Sequence, residues 1–347
     1  MTALNHSSKT LFFILISALL IICLCFGLLL GPANIPVCKI PSLLLDSLFT
    51  ELEASQSNWM QNILIDVRLP RLLVGALAGS CLAICGAVMQ GMFRNPLASP
   101  SVLGVSSGAS LGAVIALYLG LASVSVWILP LFAFTGAGLT LFIVYHIASQ
   151  RGHAAVGTLL LAGIAMAALN SALSSLILAL SLDTWGVGQS IIYWTMGGLE
   201  GRTWDHVLLI TPFALIGIYL LLHYTRSLDA LLLGETHASS IGVDVARTRR
   251  HLLLITSCLV GAAISVCGGI SFIGLVVPHI LRLILGPHHR YLLPASAIGG
   301  ALTLVAADLL LRSALPEKTI PLGVITAAFG APFFLYLLVR QRWSVRL

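Results

Sequence analysis

The sequence predicts an all-α integral membrane protein, and three observations carry this prediction. Of the 347 residues, 58% are hydrophobic and only 9% are charged, whereas soluble domains carry roughly 25% charged residues. Runs such as 11–30 are solidly apolar, unlike the alternating strands of an outer-membrane barrel. One helical crossing takes about 20 apolar residues, so this apolar content suffices for about ten crossings.

Apolar runs separated by polar gaps define about ten transmembrane helices, which form a single domain over residues 1–347. The first run is too long for the apolar part of a typical signal peptide, so we expect it to be retained as a span. Spans seven and eight are joined tightly at Gly268-Gly269. The predicted spans are 10–31, 68–92, 103–121, 124–148, 156–182, 204–224, 250–268, 270–286, 291–312 and 321–340.

The distribution of basic residues predicts the orientation. With the N-terminus inside, 12 of the 18 lysine and arginine residues fall on the inner side and 6 on the outer side. Because cytoplasmic loops of membrane proteins carry excess lysine and arginine, we expect both termini in the cytoplasm and a multi-pass protein of the bacterial inner membrane. The same bias accounts for the net charge of +6, so no nucleic-acid partner is predicted.

Motifs for ATP hydrolysis and for metal binding do not occur in the sequence. A phosphate-binding loop of the GxxxxGK[ST] type needs a lysine after a glycine, and none of the three lysines follows one. The HExxH and CxxC patterns are also missing. We therefore predict that the chain is not an enzyme and has no metal site and no permanently bound cofactor. A stand-alone secondary transporter and an intramembrane enzyme remain as alternatives of other classes.

A moderately polar cytoplasmic segment, residues 227–247, has the pattern of a docking element. Gly234 and Gly242 bracket a stretch of about seven residues, enough for two helical turns, and a second short helix could precede Gly234. A short amphipathic helix can fit a groove on a soluble partner. The alternative is an ordinary connecting loop.

Polar and aromatic residues at membrane depth or at its boundary are candidates for the pathway. Gln90 and Asn170 lie within spans, where polar groups are costly and usually functional; they line a pathway or bond neighbouring helices. Tyr193 and Trp194 lie in a stretch, 189–199, that is too short to span. This stretch is either a lid helix at a cavity mouth or an interfacial anchor.

Several long motifs occur in one order along the chain from about residue 66. They are RLPR at 68–71, GAVMQ at 86–90, NPLASP at 95–100, LGVSSGA at 103–109, LGE to IGV at 233–243, GGISFIGLVVPH at 268–279, and PLGVITA at 321–327 followed by GAP at 330–332. Together they resemble the permease subunits of ATP-binding-cassette (ABC) importers for iron chelates, haem and cobalamin.

The resemblance implies a transmembrane permease domain of ten spans that pairs with a second copy of itself around a central pathway. It also implies two cytoplasmic ATPase subunits, which use the ATP, and a periplasmic substrate-binding protein. The segment 227–247 is similar to the family's coupling helices. The residues that this assigns to ATPase coupling are Leu233, Gly234, Glu235, Ile241 and Gly242.

The resemblance also implies that outward arginines dock the binding protein through its glutamates. Arg68 and Arg71 match the motif, and Arg312 lies at the outer end of span nine. Charge complementarity of this kind steers encounter and fixes orientation. The alternative is that these arginines snorkel or pair locally, Arg68 with Asp66 for example.

The stretch 192–204, IYWTMGGLEGRTW, resembles the corresponding part of haem-importer permeases. Tyr193 and Trp194 could flank a flat porphyrin, and Arg202 could meet a propionate. The resemblance thus implies haem as the transported cargo, with ferric siderophores and cobalamin as the alternatives.

Overall fold

The computed structural model describes residues 6–31, 33, 35–43, 59–150, 153–154, 156–182, 186–315 and 320–344. Within these ranges the regular secondary structure is helical, apart from one short antiparallel pairing of Ser149–Gln150 with His153–Ala154.

Thirteen helices in the described residues carry the fold. They are α1 (His6–Leu29), α2 (Trp59–Met92), α3 (Val105–Tyr118), α4 (Ile128–Ala148), α5 (Val156–Ser181), α6 (Val187–Met196), α7 (Trp204–His223), α8 (Thr225–Leu232), α9 (Glu235–Ser240), α10 (Val245–Cys267), α11 (Ile273–Leu285), α12 (His289–Ala314) and α13 (Leu322–Ser344). Residues Ile63–Arg68 of α2 are π-helical, and short 3₁₀ turns cover Val37–Lys39, Pro100–Leu103 and Leu121–Ser123.

Seven of the described helices are long and apolar enough to cross a membrane, and they fall at predicted spans one, two, four to seven and nine. The helices at spans three, eight and ten, which are α3, α11 and α13, have shorter apolar stretches. The 13 residues of α11 reach about 20 Å at 1.5 Å per residue, less than the hydrocarbon core of about 30 Å. The helical membrane fold is confirmed, and the count of ten crossings stays a prediction.

Helix α2 is the centre of the bundle and packs against α12, α10, α11 and α7. Of the most apolar 18-residue stretch of α2, 78% is buried inside the molecule, against 6% for α1 and 11% for α5. Gly79 and Gly300 bring α2 and α12 together, because a Cβ added at Gly79 would lie 2.3 Å from the Gly300 oxygen. Small residues let membrane helices approach this closely, so α2 and α12 form one packed pair.

Glycines also join α6 to the turn between α10 and α11 and to the start of α13. Gly198 donates its N–H to the carbonyl of Cys267 at 2.8 Å, and Gly323 donates to Gly197 at 3.2 Å. Gly268 has φ +69°, a conformation that glycine adopts without steric cost. The tight junction predicted at Gly268-Gly269 is therefore confirmed as the turn between α10 and α11.

The two ends of the α12 helix define the two ends of the molecule. At its start, Lys9 of α1 lies 4.4 Å from the Tyr291 ring centroid, and Asp229 of α8 contacts His289. We call this the segment end. Toward the other end of α12, Asp308 pairs with Arg71 of α2; we call this the cavity end. The start of α1 and the segment 227–247 thus share one end, as the charge count predicts.

Candidate functional site

A cavity of about 450 Å³ opens at the cavity end. Its wall brings together three predicted pathway residues, Tyr193, Trp194 and Arg202, with Arg71 and with aliphatic side chains from several helices. The two other pathway candidates are not part of this wall. The wall also includes Glu200 and His206, so the cavity combines aromatic, apolar, cationic and acidic surface.

Helix α6 places the two aromatic residues, and glycine limits its length at both ends. Gly186 precedes it with φ +95° and Gly197 follows it with φ +71°. Tyr193 is 55% exposed, whereas Trp194 is 8% exposed and lies inside the packed wall. The short helix predicted over 189–199 is thus confirmed, and its position is beside the cavity.

Arg202 and His206 meet at the start of α7. The backbone N–H of Thr203, which caps α7, donates to His206 Nδ1 at 3.2 Å. A neutral imidazole that accepts at Nδ1 carries its proton on Nε2. The Arg202 Nη1 atom lies 3.4 Å from that Nε2, so two donors face each other and no hydrogen bond joins them. His206 was missed from the sequence, because a single histidine near a predicted span end carries no signal.

Arg202 has no acidic partner within ion-pair distance among the described residues, and its Nε atom is buried without a hydrogen bond. Burial, with the charge of Arg71 nearby, lowers the pKa of Arg202. A buried cation is costly unless it is paired. The arrangement is therefore suited to receive an anionic group in the cavity.

Arg71 and Arg312 share one buried carboxylate. Arg71 Nη2 lies 2.6 Å from Asp308 Oδ1, and Arg312 Nε lies 3.1 Å from Asp308 Oδ2. The Asp308 side chain is 1% exposed, and those of Arg71 and Arg312 are 15% and 11% exposed. One carboxylate between two guanidinium groups leaves this cluster of three residues with one net positive charge.

Arg68 lies inside the chain and binds the end of α1. It is 3% exposed, and its guanidinium donates to the carbonyls of Leu28, Leu29 and Ala33 at 2.5, 2.9 and 2.5 Å. The last carbonyls of a helix lack intrahelical partners, and Arg68 satisfies them for α1. This geometry gives Arg68 a structural role, so the docking proposal below depends on Arg71 and Arg312.

Gln90 and Asn170 bond neighbouring helices. Gln90 is 1% exposed and donates from Nε2 to the Leu275 carbonyl of α11 at 3.0 Å. Asn170 of α5 is 3% exposed and donates from Nδ2 to Ser107 and Thr140 at 3.2 and 3.1 Å. Of the two interpretations left open by the sequence, the described geometry favours helix bonding.

The segment 227–247 contains the two short helices that its glycines predict. α8 ends before Gly234, which has φ +115°, and α9 ends before Gly242, which has φ +89°. Leu233 and Ile241 are 68% and 59% exposed. Glu235 accepts a 2.5 Å hydrogen bond from Arg249 of α10, which ties α9 to the bundle. The segment thus presents apolar side chains outward from a fixed base.

Residues 19–340 match the FecCD transport family. A cobalamin import system permease protein of Halobacterium salinarum is 48% identical over 281 residues, which cover 80% of this chain and 73% of the relative. A hemin transport system permease protein of Yersinia pestis is 39% identical over 324 residues, covering 91% and 92%. A solved structure, described as an inward-facing conformation of a metal-chelate type ABC transporter, superposes with TM-score 0.81 at 30% identity, covering 94% of this chain and 97% of that one.

Proposed function

Since this chain belongs to the FecCD transport family and is a permease of an ABC importer for iron chelates, cobalamin or haem, we propose that haem is its cargo. One observation carries this choice: the unpaired cation Arg202 and the aromatic residues Tyr193 and Trp194 line the same cavity. Aromatic rings stack on flat conjugated surfaces, and guanidinium groups bind carboxylates with charge-assisted hydrogen bonds. A porphyrin with propionates offers both.

Importers of this type work with separate ATPase subunits and with substrate-binding proteins. In our proposal two ATPase subunits contact the segment 227–247 from the cytoplasm. Leu233 and Ile241, both exposed, fill apolar pockets on them, while Gly234, Glu235 and Gly242 fix the shape of the turn. ATP closure of these subunits then moves the segment and rocks the helices.

The proposed pathway lies between two copies of this chain. Helix α5 supports this arrangement, because only 11% of its most apolar window is buried within one copy. Ser171 and Ser175 are exposed in the middle of this apolar helix. Small and hydroxyl residues favour packing between membrane helices. Cross-linking of Ser171→Cys in a cysteine-free background should trap a dimer, and recovery of monomer only would contradict the arrangement.

The cavity end would face the periplasm, with both termini in the cytoplasm and the protein in the inner membrane of the cell. There the positive charge that remains around Arg71, Asp308 and Arg312 would orient the acidic surface of a binding protein. Complementary charges raise association rates more than they raise affinity. Arg202, on the cavity wall, would contact the cargo after its release.

Uptake of matched cargoes tests the choice of haem. The permease, ATPase and binding protein are reconstituted in vesicles and supplied with haem, haem dimethyl ester, a ferric siderophore or cobalamin. We expect haem to accumulate and Arg202→Gln to reduce that uptake roughly tenfold, since a hydrogen bond to a charged group contributes about 1.5–3 kcal/mol. The ester, which lacks free carboxylates, should be carried poorly and equally by both proteins.

Other outcomes separate the alternatives. Accumulation of cobalamin or of the siderophore without haem would show that the cargo proposal is wrong while leaving the importer assignment intact. An equal loss of haem and ester uptake in Arg202→Gln would contradict the carboxylate contact.

A further inference from the structure

Helix α12 is capped by a residue of another helix. Its own N-cap residue, His288, makes no side-chain capping hydrogen bond. Instead, Oδ1 of Asp229, in α8, accepts the backbone N–H of His289 at 2.8 Å and lies 2.7 Å from His289 Nδ1. The first N–H groups of a helix lack intrahelical partners, and the helix dipole favours negative charge there. The start of α12 is thus bound to α8, within the segment 227–247.

The contact joins a buried histidine to a partly exposed carboxylate, since the Asp229 side chain is 32% exposed. The His289 side chain is fully buried, and a Cβ added at Gly91 of α2 would lie 2.2 Å from its Nε2 atom. Burial alone would raise the pKa of Asp229, but the hydrogen bonds from His289 outweigh it and lower the pKa. Asp229 is therefore ionised at neutral pH, and His289 carries its proton on Nδ1. Asp229 and His289 join α8, α12 and α2 at one point.

The α12 helix connects this contact to the other end of the molecule. Its 26 residues extend about 39 Å at 1.5 Å per residue. Its far part bears Asp308, which pairs with Arg312 of the same helix and with Arg71 of α2. Between the two ends, α2 and α12 touch through Gly79 and Gly300. Close-packed interiors transmit strain, so the pair can move as one body.

We propose that Asp229 and His289 are positioning residues that lock the ATPase-contacting segment to the α2–α12 pair, so that movement of the segment reaches the cavity end. The inference rests on the proposed function of the segment. In this proposal neither residue contacts cargo or ATP. A movement caused by binding-protein docking at Arg71 and Arg312 would reach the ATPase subunits through the same pair of helices.

The test uses the complete reconstituted importer and measures how far loaded binding protein stimulates ATP hydrolysis. We expect Asp229→Ala to reduce the stimulation at least fivefold and to raise the ATP consumed per cargo molecule. Asp229→Asn keeps an acceptor oxygen and loses the charge, so it should fall between Asp229→Ala and the unsubstituted protein. Binding of the ATPase subunits should persist, because Leu233 and Ile241 remain in place.

Tyr224→Phe is the matched control at the same end. It removes a 2.8 Å hydrogen bond from Tyr224 to His251 of α10 without touching α12, so stimulation should stay near that of the unsubstituted protein. Equal loss in Tyr224→Phe and Asp229→Ala, or full stimulation in Asp229→Ala, would overturn the inference. So would a failure of both Asp229 variants to assemble while Tyr224→Phe assembles, since the pair would then serve stability. If even the unsubstituted complex shows no stimulation, the proposed function itself fails.

Discussion

The two ends of the α2–α12 pair differ in the surface that they offer. The cavity end places charged side chains, Arg71, Arg202 and Glu200, around an open space. The segment end exposes apolar side chains, Leu233 and Ile241, and its Glu235 is held in an ion pair with Arg249. Charge steers partners from a distance, whereas apolar burial contributes affinity on contact. We therefore expect transient docking and cargo contact at the cavity end and a lasting protein contact at the segment end.

The largest effect should come from a change at the contact between α2 and α12, which connects both ends, and it should appear in the thermal stability. Gly79→Ala forces a Cβ to within 2.3 Å of the Gly300 oxygen, and overpacking of this kind costs about 1–3 kcal/mol. Gly138→Ala is the control, because nothing lies within 4 Å of its Cβ and both substitutions gain the same helix propensity. The thermal midpoint of the purified protein should fall for Gly79→Ala only. Equal midpoints would show that α2 and α12 are not tightly packed.

The second largest effect should come from a substitution at the segment end, and it should appear in the binding of the ATPase subunits. Leu233→Ser removes an exposed leucine whose burial on a partner contributes about 1.5–3 kcal/mol, or roughly 10- to 100-fold in Kd. Binding of the ATPase subunits, measured by titration in nanodiscs, should weaken by that factor, while binding-protein affinity stays constant. Thr236→Ala, an exposed neighbour, serves as the control. Unchanged ATPase affinity in Leu233→Ser would remove the anchoring role of this residue.

The smallest effect should come from a substitution at the cavity end. It should appear in the association rate of the binding protein, and it should depend on salt. Arg312→Gln should slow association of the binding protein about two- to tenfold at low ionic strength, because changes in rim charge act mainly on association rates. In 1 M salt, where the Debye length is about 3 Å, the difference should vanish. Arg68→Gln should leave association unchanged and lower thermal stability, because Arg68 is buried and caps α1. A larger association defect in Arg68→Gln than in Arg312→Gln would reverse this assignment.

Sequence reasoning located the helices well, because apolar runs and glycine breaks are local signals. The predicted span 204–224 compares with Trp204–His223, and Gly234 and Gly242 marked both short helices of the segment. It could not find contacts between distant positions. Arg68 binds carbonyls about 40 residues away, and Asp229 lies 60 residues from His289. Such pairs follow from how α2 and α12 pack, and no local spacing encodes that packing.

The residues that line the cavity are likewise far apart in the sequence, so their grouping could not be predicted. The sequence placed Tyr193, Trp194 and Arg202 in one stretch, but it gave no reason to set them beside Arg71, which precedes them by more than 100 residues. The turn of glycines that holds α6 against α13 brings these parts together. Gln90 and Asn170 are polar residues within spans, for which the sequence left two roles open, and both bond neighbouring helices.

The source of energy is the most direct test of the account. Vesicles containing only this chain, with an ion gradient imposed, should accumulate no haem, siderophore or cobalamin. Adding the ATPase subunits and the binding protein, with ATP inside the compartment that the ATPase faces, should produce accumulation against a gradient. Sustained accumulation by the chain alone would show a secondary transporter and contradict the account.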